Sequence, residues 1–255
     1  MIQLTFLGTG TSQGVPVIGS NHPVCMSQNP RDKRLRSSAL IKWGQKNYII
    51  DCGPDFRQQL INNPINNLDA ILFTHSHADH TAGLDDIRPF FFRQGLINIY
   101  LTRDVYENLN KRFNYILNDN NKYPGAPSVN LNIIDHGIGF KLDENFIVPI
   151  KAEHNKITVT GYRFKNLAYM TDVKKLDFKS KEKLMGLDTL VLSCLRIEPH
   201  PSHLNLEEAL DLIDELKPKK TYLMHISHLL GFHDEVSMRL PKDVFLAYDN
   251  LTIKS

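Results

Sequence analysis

Residues 74 to 80 read THSHADH, and they crowd four residues of metal-binding types, His75, His77, Asp79 and His80, into one short stretch. The stretch directly follows the apolar run AILF at 70–73. Packed this closely, neutral imidazoles and carboxylates must all find hydrogen-bond partners, so they are poor core material. Imidazole nitrogens and carboxylate oxygens are instead ligands that suit zinc and similar divalent ions. The string therefore predicts a metal site at the end of a buried strand.

Three further apolar segments end on a residue of a metal-binding type. His154 follows FIVPIKAE, Asp172 follows AYMT and His225 follows TYLM. Because strand ends are where a rigid scaffold meets a solvent-accessible rim, such residues can be gathered into a catalytic site. Within HSHADH, alternate side chains can point together while Asp79 and His80 turn the other way, so one loop could serve two ions. A single histidine at a strand end is more often a hydrogen-bonded core or rim residue. The assignment of the three outlying residues as ligands therefore depends on the HSHADH cluster.

The elements around these residues mix strands with helices. Strands are predicted for residues 2–7, for SALIKW and KNYIID joined by a turn at Gly44-Gln45, and for AILFT, INIYLT, FIVPIKAEH, TVTGYRF, NLAYMTD, DTLVLSCL and KTYLMH, with DVFLAYDNLTI at the end. Helices are predicted over DFRQQLINN with Asp55 as its cap, over residues 103–117, and over 205–217, where Asn205 and Glu208 resemble a capping box. Each half of the chain thus mixes strands with helices, which favours two β-sheets packed face to face with helices outside. We expect this α/β (α+β) arrangement in a single domain over residues 1–255.

Composition places the chain among ordinary globular proteins. Hydrophobic residues make up 42% and charged residues 23% of the 255 residues, and no apolar run approaches the roughly 18 residues of a membrane helix. A formal charge of +2 with only short basic runs argues against nucleic acid as a partner. The three cysteines form no disulfide framework, and the amino terminus lacks the positive start of a signal peptide. We expect a cytoplasmic protein that binds no membrane.

The H-x-H-x-D-H string resembles the signature of the metallo-β-lactamase superfamily. The resemblance covers almost the whole chain, because GTGTSQGVP at 8–16, DCG at 51–53 and TD at 171–172 also match. It implies an αββα sandwich of two mixed β-sheets and two divalent ions, Zn²⁺ or Mn²⁺. By this resemblance, one ion is held by His75, His77 and His154, the other by Asp79, His80 and His225, and Asp172 bridges them.

Three motifs are similar to the branch of the superfamily that contains phosphoribosyl 1,2-cyclic phosphate phosphodiesterase: GTGTSQGVP, GLDDIRPF at 83–90 and MHISH at 224–228. That branch carries an additional structural zinc, held by three cysteines of an early loop and by a histidine three residues after the last catalytic ligand. The matching positions here are Ser20, His22, Cys25 and His228. The resemblance therefore implies a third Zn²⁺ site that is weakened, lost or rebuilt with cysteine and histidine.

Two divalent ions with two aspartates and one bridging hydroxide leave a net positive site, which favours an anionic phosphodiester. Such a centre can generate hydroxide at neutral pH and stabilise an in-line displacement at phosphorus, so we expect hydrolysis of a small, open or cyclic phosphodiester. Delivery of a proton to the leaving oxygen needs a further group. His203, just before a helix, is the first choice, with His200 in reserve, and Asp79 is counted with the catalytic residues. Arg88 and Arg93 are candidates either for a substrate phosphate or for surface contacts.

Other functions remain open. A tRNA 3′-processing nuclease shares these ligands but would need a long basic or glycine-rich arm, and the sequence between the cluster and His225 shows none. Lactone, thioester or β-lactam hydrolysis uses the same kind of centre to polarise a carbonyl. A metal-binding regulatory protein with vestigial activity is the non-enzymatic alternative, although all seven ligand positions are filled. Relatives are often dimers, so a homodimer is a further expectation.

Overall fold

The computed structural model describes residues 1–118, 120 and 122–255, and its strands form two seven-stranded sheets. The first sheet contains β1 (Ile2–Gly8), β2 (Ser38–Trp43), β3 (Lys46–Ile50), β4 (Ala70–Leu72), β5 (Ile97–Leu101), β6 (Val129–Ile133) and β14 (Thr252–Lys254), in the order β14-β1-β2-β3-β4-β5-β6. The second contains β7 (Phe140–Leu142), β8 (Asn145–His154), β9 (Ile157–Phe164), β10 (Leu167–Met170), β11 (Thr189–Ser193), β12 (Lys220–Met224) and β13 (Val244–Leu246), in the order β13-β12-β11-β10-β9-β8-β7.

Each sheet is antiparallel on one side and parallel on the other. In the first sheet, β14, β1, β2 and β3 pair antiparallel, and β3 to β6 pair parallel. In the second, β7 to β10 pair antiparallel and β10 to β13 pair parallel. The central parallel strands β4, β10 and β11 are buried throughout and largely apolar, because both of their faces are covered.

The two sheets share a core of large side chains. Phe6 and Tyr48 from the first sheet meet Tyr162, Phe164 and Tyr169 from the second, and all five are fully buried. Burying one such side chain stabilises the fold by about 1.5–3 kcal/mol before entropy is subtracted. This layer holds the sheets face to face.

Helices cover the outer faces of both sheets. Phe56, Phe90 and Leu109 pack on the first sheet, and Ala209 and Leu216 pack on the second. The described helices are α1 (Pro23–Met26), α2 (Phe56–Asn62), α3 (Ala78–Thr81), α4 (Arg88–Gln94), α5 (Arg103–Arg112), α6 (Asn114–Leu117), α7 (Phe178–Glu182), α8 (Leu206–Leu216) and α9 (His233–Ser237). The layers form the predicted αββα sandwich of two mixed sheets. Among the described helices, none is both long and apolar enough to cross a membrane.

Most predicted elements are confirmed, including the hairpin of β2 and β3 and the capping box of Asn205 and Glu208 at α8. Three predictions need correction. The helix predicted over 103–117 is two helices, because the backbone leaves the helical region at Phe113. Asp55 occupies the N-cap position of α2 as predicted, but its side chain makes no capping hydrogen bond within the described chain, because its carboxylate accepts from Arg36. The final segment DVFLAYDNLTI divides between β13 and β14, which lie in different sheets.

Candidate metal centre

One edge of the sandwich gathers the residues of metal-binding types. His75 follows β4, Asp172 follows β10 and His225 follows β12, each at the carboxyl end of a strand with a parallel neighbour. His154 ends β8, which runs in the same direction as β10 because both are antiparallel to β9. Carboxyl ends of parallel strands meet at one edge of a sheet, which is where α/β proteins build their sites.

The HSHADH segment forms a tight turn into the short helix α3, with His77 at the N-cap position. His75 and His80 are buried, whereas His77 is exposed. The DCG loop supports the turn from below: a Cβ on Gly53 would lie 2.0 Å from the Asp79 carbonyl oxygen, so only glycine allows this approach. The turn therefore offers ligand atoms on both its buried and its exposed side.

Ligand atoms converge on the Asp172 carboxylate. Its Oδ2 lies 2.9 Å from His80 Nε2, and its Oδ1 lies 3.0 Å from His225 Nε2. Asp79 Oδ2 lies 3.2 Å from the same His80 nitrogen. Within the described part of the chain, three groups bring three ligand atoms within 4.8 Å of one another: His75 with His77 and His154, His75 with His80 and Asp172, and His154 with Asp172 and His203. The structure thus brings all seven predicted ligands together.

Four of the histidines are held by a hydrogen bond between Nδ1 and a protein oxygen. The partners are Thr74 Oγ1 for His75 at 3.0 Å, Asp51 Oδ2 for His80 at 2.7 Å, Ser202 O for His154 at 2.7 Å, and Ser37 Oγ for His225 at 3.0 Å.

The direction of these four bonds follows from the neighbouring contacts. The Asp51 carboxylate and the Ser202 carbonyl can only accept. The Thr74 hydroxyl donates its hydrogen to Asp51 Oδ2 at 2.7 Å, and the Ser37 hydroxyl donates to Gly10 O at 2.8 Å, so both oxygens accept from the imidazole. With Nδ1 as the donor, each neutral ring carries its lone pair on Nε2. This is the arrangement of histidines that bind metal.

Two of the Nε2 atoms, those of His75 and His80, are buried without a hydrogen-bond partner among the described residues. The close approach of Asp172 to His80 lacks hydrogen-bond geometry. A buried polar atom left unpaired costs about 1–3 kcal/mol, so a purely structural cluster would rarely contain two. A divalent ion would use both lone pairs, and the carboxylates of Asp79 and Asp172 would balance its charge. The donor set of imidazoles and carboxylates therefore fits a divalent metal site.

The histidines and carboxylates gathered at this edge have pKa values shifted in opposite directions. Burial, with the neighbouring His80, lowers the pKa of His75 well below its usual value. Burial also opposes charge on His80, but without a metal ion the carboxylates of Asp172, Asp79 and Asp51 outweigh it and raise its pKa well above the usual value, so a bound ion would displace the proton on Nε2. Burial acts against the charge of Asp172, yet the surrounding histidines lower its pKa well below the usual value. Such opposed shifts in one cluster are typical of functional sites.

Three residues of the rim adopt a left-handed backbone conformation. The angle φ is +60° at Asp51, +53° at Asp172 and +56° at His225. This region costs an L-residue of order 1–2 kcal/mol and is enriched at functional sites. In each case the conformation occurs within two residues of a strand end, where the chain must turn the side chain into the rim.

His203 lies against the ligand set, and His200 lies one ring further out. His203 Nδ1 is 3.3 Å from Asp172 Oδ1, and its ring is stacked on that of His225 with centroids 5.0 Å apart. The His200 ring is 5.1 Å from the His203 ring, and its Nδ1 accepts a hydrogen bond from the Ser202 N–H. Burial lowers the pKa of His203 to about 3, so this side chain is neutral at pH 7.

The residues of the predicted structural site lie in two segments: Ser20 and His22 precede α1, Cys25 lies within it, and His228 comes four residues after the end of β12. The rings of His22 and His228 are 4.8 Å apart, and His228 Nδ1 is buried without a hydrogen-bond partner in the part of the chain that the structure describes. Cys25 is buried, its Sγ accepts from the Val17 N–H at 3.5 Å, and the Ser20 hydroxyl accepts from the His22 N–H at 3.2 Å. Among the described residues, no group of three close ligand atoms includes these side chains. The third ion stays a prediction.

The two arginines of the GLDDIRPFFFR segment make structural contacts. Arg88 donates to both carboxylate oxygens of Asp85, to Gly125 O and to the Tyr123 hydroxyl. Arg93 lies over the Phe90 ring, 4.8 Å from its centroid. These contacts support the surface role for both, not the phosphate contact.

Sequence reasoning missed the residues that hold the ligands. Asp51 was part of a matched motif, but only the structure shows its carboxylate bonded to His80 and Thr74. An acidic residue directly after an apolar strand is the signal that could have found it. Ser37 and Ser202 carry no such signal, because their contacts join segments far apart in the chain.

Comparison with known proteins agrees with this geometry. A family model described as a beta-lactamase superfamily domain matches residues 46–226. The chain belongs to the metallo-β-lactamase superfamily and has its fold. It is similar to a solved structure described as a new diphosphatase from the PhnP family, with 37% identity and a TM-score of 0.93 over 100% of this chain and 98% of that one.

Two curated proteins are also similar. An octanoyltransferase of Porphyromonas gingivalis is 36% identical over 247 residues, covering 96% of this chain and 50% of that protein. A ribonuclease Z of Mycolicibacterium gilvum is 26% identical over 182 residues, covering 65% of this chain and 58% of that protein. The chain spans about half the length of the curated relatives that it matches.

Proposed function

We propose that this protein is a dinuclear metal-dependent phosphodiesterase that acts on a small phosphodiester, open or cyclic. The observation that carries the proposal is the ring of imidazoles around Asp172, four of which donate through Nδ1 and so present Nε2 to the rim. The two oxygens of Asp172 approach different histidines of this ring, His80 and His225. A carboxylate in this position can bridge two ions.

The ligands divide into two sets. The first ion would be held by His75, His77 and His154, the second by Asp79, His80 and His225, and both by Asp172. Two divalent ions, zinc or manganese, would supply hydroxide at neutral pH and offset the charge that develops on the phosphoryl oxygens. A centre with this balance of charge favours an anionic ester over a neutral one.

The chain supplies the groups around the reacting phosphate. His203 is neutral at pH 7 and contacts both Asp172 and the ring of His225, where it can donate a hydrogen bond to a phosphoryl or leaving-group oxygen rather than a proton. His200 contacts His203 from outside and is the reserve for the same role. The segment that carries both is fixed, because Lys174 Nζ donates to His203 O at 3.3 Å and to the Glu208 carboxylate at 2.6 Å.

Similarity to two curated proteins favours other classes of substrate for this protein. The similarity to ribonuclease Z favours a nuclease that cleaves the same kind of bond in RNA. The protein named octanoyltransferase favours an acyl substrate, but the match covers only half of it, so its name assigns no acyl transfer to the matching half. Parallel assays of bis(p-nitrophenyl) phosphate, a tRNA precursor, a thioester and a lactone separate these classes.

The test of the proposal compares wild type with Asp172→Asn and with the control Asp188→Asn, a surface carboxylate paired with Lys219. Hydrolysis of bis(p-nitrophenyl) phosphate is measured after loading with zinc or manganese. We expect Asp172→Asn to lose at least about 100-fold in rate and the control to stay at the wild-type rate. Metal-loaded wild type that hydrolyses an ester of another class, and no phosphodiester, would refute the proposal.

A further inference from the structure

His77 differs from the other histidines of the proposed ligand set. Its side chain is exposed, and in the part of the chain that the structure describes its ring has no hydrogen-bond partner. The four other rings are each oriented by a bond from Nδ1. Because such a bond normally fixes a metal-binding imidazole, His77 needs a constraint of another kind.

The constraint reaches His77 through the main chain. The carbonyl oxygen of His77 accepts from Thr81 Oγ1 at 2.8 Å. The carbonyl oxygen of Ser76, directly before it, accepts from Arg112 Nη2 at 2.8 Å. The same Nη2 atom donates its second hydrogen to Thr81 Oγ1 at 2.9 Å. One guanidinium nitrogen therefore ties the chain on both sides of His77.

Arg112 comes from outside the metal-binding loop. It is the last residue of α5, and its guanidinium also lies over the Phe113 ring, 5.5 Å from the centroid. A planar guanidinium offers two hydrogens from one nitrogen in fixed directions, which a lysine ammonium does not. The geometry suits two acceptors that must be kept at a set distance.

We propose that Arg112 is a positioning residue for the metal centre, which holds the main chain around His77 and thereby sets the affinity of the ion bound by His75, His77 and His154. The inference rests on the proposed function, because it needs that ion. The second ion depends on other supports, since Asp51 and Ser37 orient His80 and His225. The effect of Arg112 is therefore selective for one of the two ions.

The test measures metal binding directly. Metal-free wild type, Arg112→Gln and Arg112→Lys are titrated with Co²⁺ and followed by calorimetry and by the visible absorption of the bound ion. Arg103→Gln is the matched control, because Arg103 begins the same helix, lies over the Tyr106 ring at 5.7 Å from its centroid, and has no side-chain hydrogen bond to a described residue. We expect Arg112→Gln to lower the affinity for one of the two ions by about tenfold or more and Arg112→Lys to restore part of this affinity. The control should bind both ions with wild-type affinity.

A second variant guards against a general loss of structure. Thr81→Val removes the hydroxyl that links Arg112 to His77 and keeps the side-chain volume. It is expected to lower the affinity for the same ion. The double variant with Arg112→Gln should lose less binding free energy than the sum of the two single variants, because both substitutions break the same link. Wild-type affinities for both ions in Arg112→Gln would overturn the inference, as would equal weakening of both ions with a lower melting temperature of the metal-free protein. Failure of wild type to bind any ion would instead refute the proposed metal centre.

Discussion

Replacing Asp51 with asparagine is expected to weaken metal binding strongly while the fold persists. Asp51 is fully buried and accepts three hydrogen bonds. The Thr74 N–H donates to Oδ1 at 2.8 Å, and Thr74 Oγ1 and His80 Nδ1 each donate to Oδ2 at 2.7 Å. Asparagine can keep the bond to the Thr74 N–H, but it places an amide NH₂ group where Oδ2 stood.

That NH₂ group faces two donors and can accept from neither. His80 can meet it only by moving its proton from Nδ1 to Nε2, and Nε2 is then no longer free to bind an ion. Losing such a partner costs about 10- to 100-fold in metal affinity, or about 1.4–2.7 kcal/mol. The metal-free variant should melt within about 5 °C of wild type, because burial raises the pKa of Asp51 and removing this buried charge offsets part of the lost hydrogen bonding.

The assay is a metal titration of the metal-free protein in competition with a chromophoric chelator. Asp69→Asn is the matched control, since this carboxylate accepts from the Asn47 N–H at 2.8 Å at the opposite end of β4. We expect wild-type affinity in the control. Wild-type affinity in Asp51→Asn would refute the reasoning that the Nδ1 partner fixes the ligand state of His80.

Three further predictions follow from the same contacts. His203→Ala should lower kcat by about 100-fold at unchanged metal content, because it removes a hydrogen-bond donor to the reacting phosphate; steady-state kinetics and elemental analysis check this. Removal of metal by a chelator should lower the melting temperature, because an ion at 100 times its Kd contributes about 2.7 kcal/mol; an unchanged melting temperature would contradict this. Burial and Arg34 lower the pKa of His233 to about 4, so its neutral form stabilises the fold above pH 6.5 and this contribution is lost as the pH falls from 6.5 to 4. Urea unfolding should show that the free energy of unfolding of wild type falls by about 2–3 kcal/mol more than that of His233→Gln between pH 6.5 and 4. An equal fall in both proteins would refute the lowered pKa of His233.

The sequence contained enough to predict the fold and to place the candidate ligands at strand ends. The apolar strands that end at His75, Asp172 and His225 have a periodicity and a residue type that do not depend on distant contacts. Their convergence follows from strand direction, because the carboxyl ends of these strands face one edge. The capping box at α8 is equally local, since Asn205 and Glu208 lie within one turn.

The remaining features depend on contacts between distant segments. The break at Phe113, the split of the last apolar segment between two sheets, and the bond from Arg112 to Ser76 follow from how the layers pack, which no local pattern encodes. Arg88 shows the converse: the sequence left both a phosphate contact and a surface contact open, and Asp85 three residues earlier binds its guanidinium. This pairing is local, because residues three apart are neighbours at the start of a helix.

The most direct test of the dinuclear centre is the metal content of the purified protein. The wild type, loaded with zinc or manganese and dialysed to remove weakly held ions, is analysed for metal per chain alongside Asp172→Asn. We predict about two ions per chain in the wild type and fewer in the variant, because Asp172 would serve both ions. A wild type that retains no ion after loading would contradict the assignment of the THSHADH cluster as a metal site.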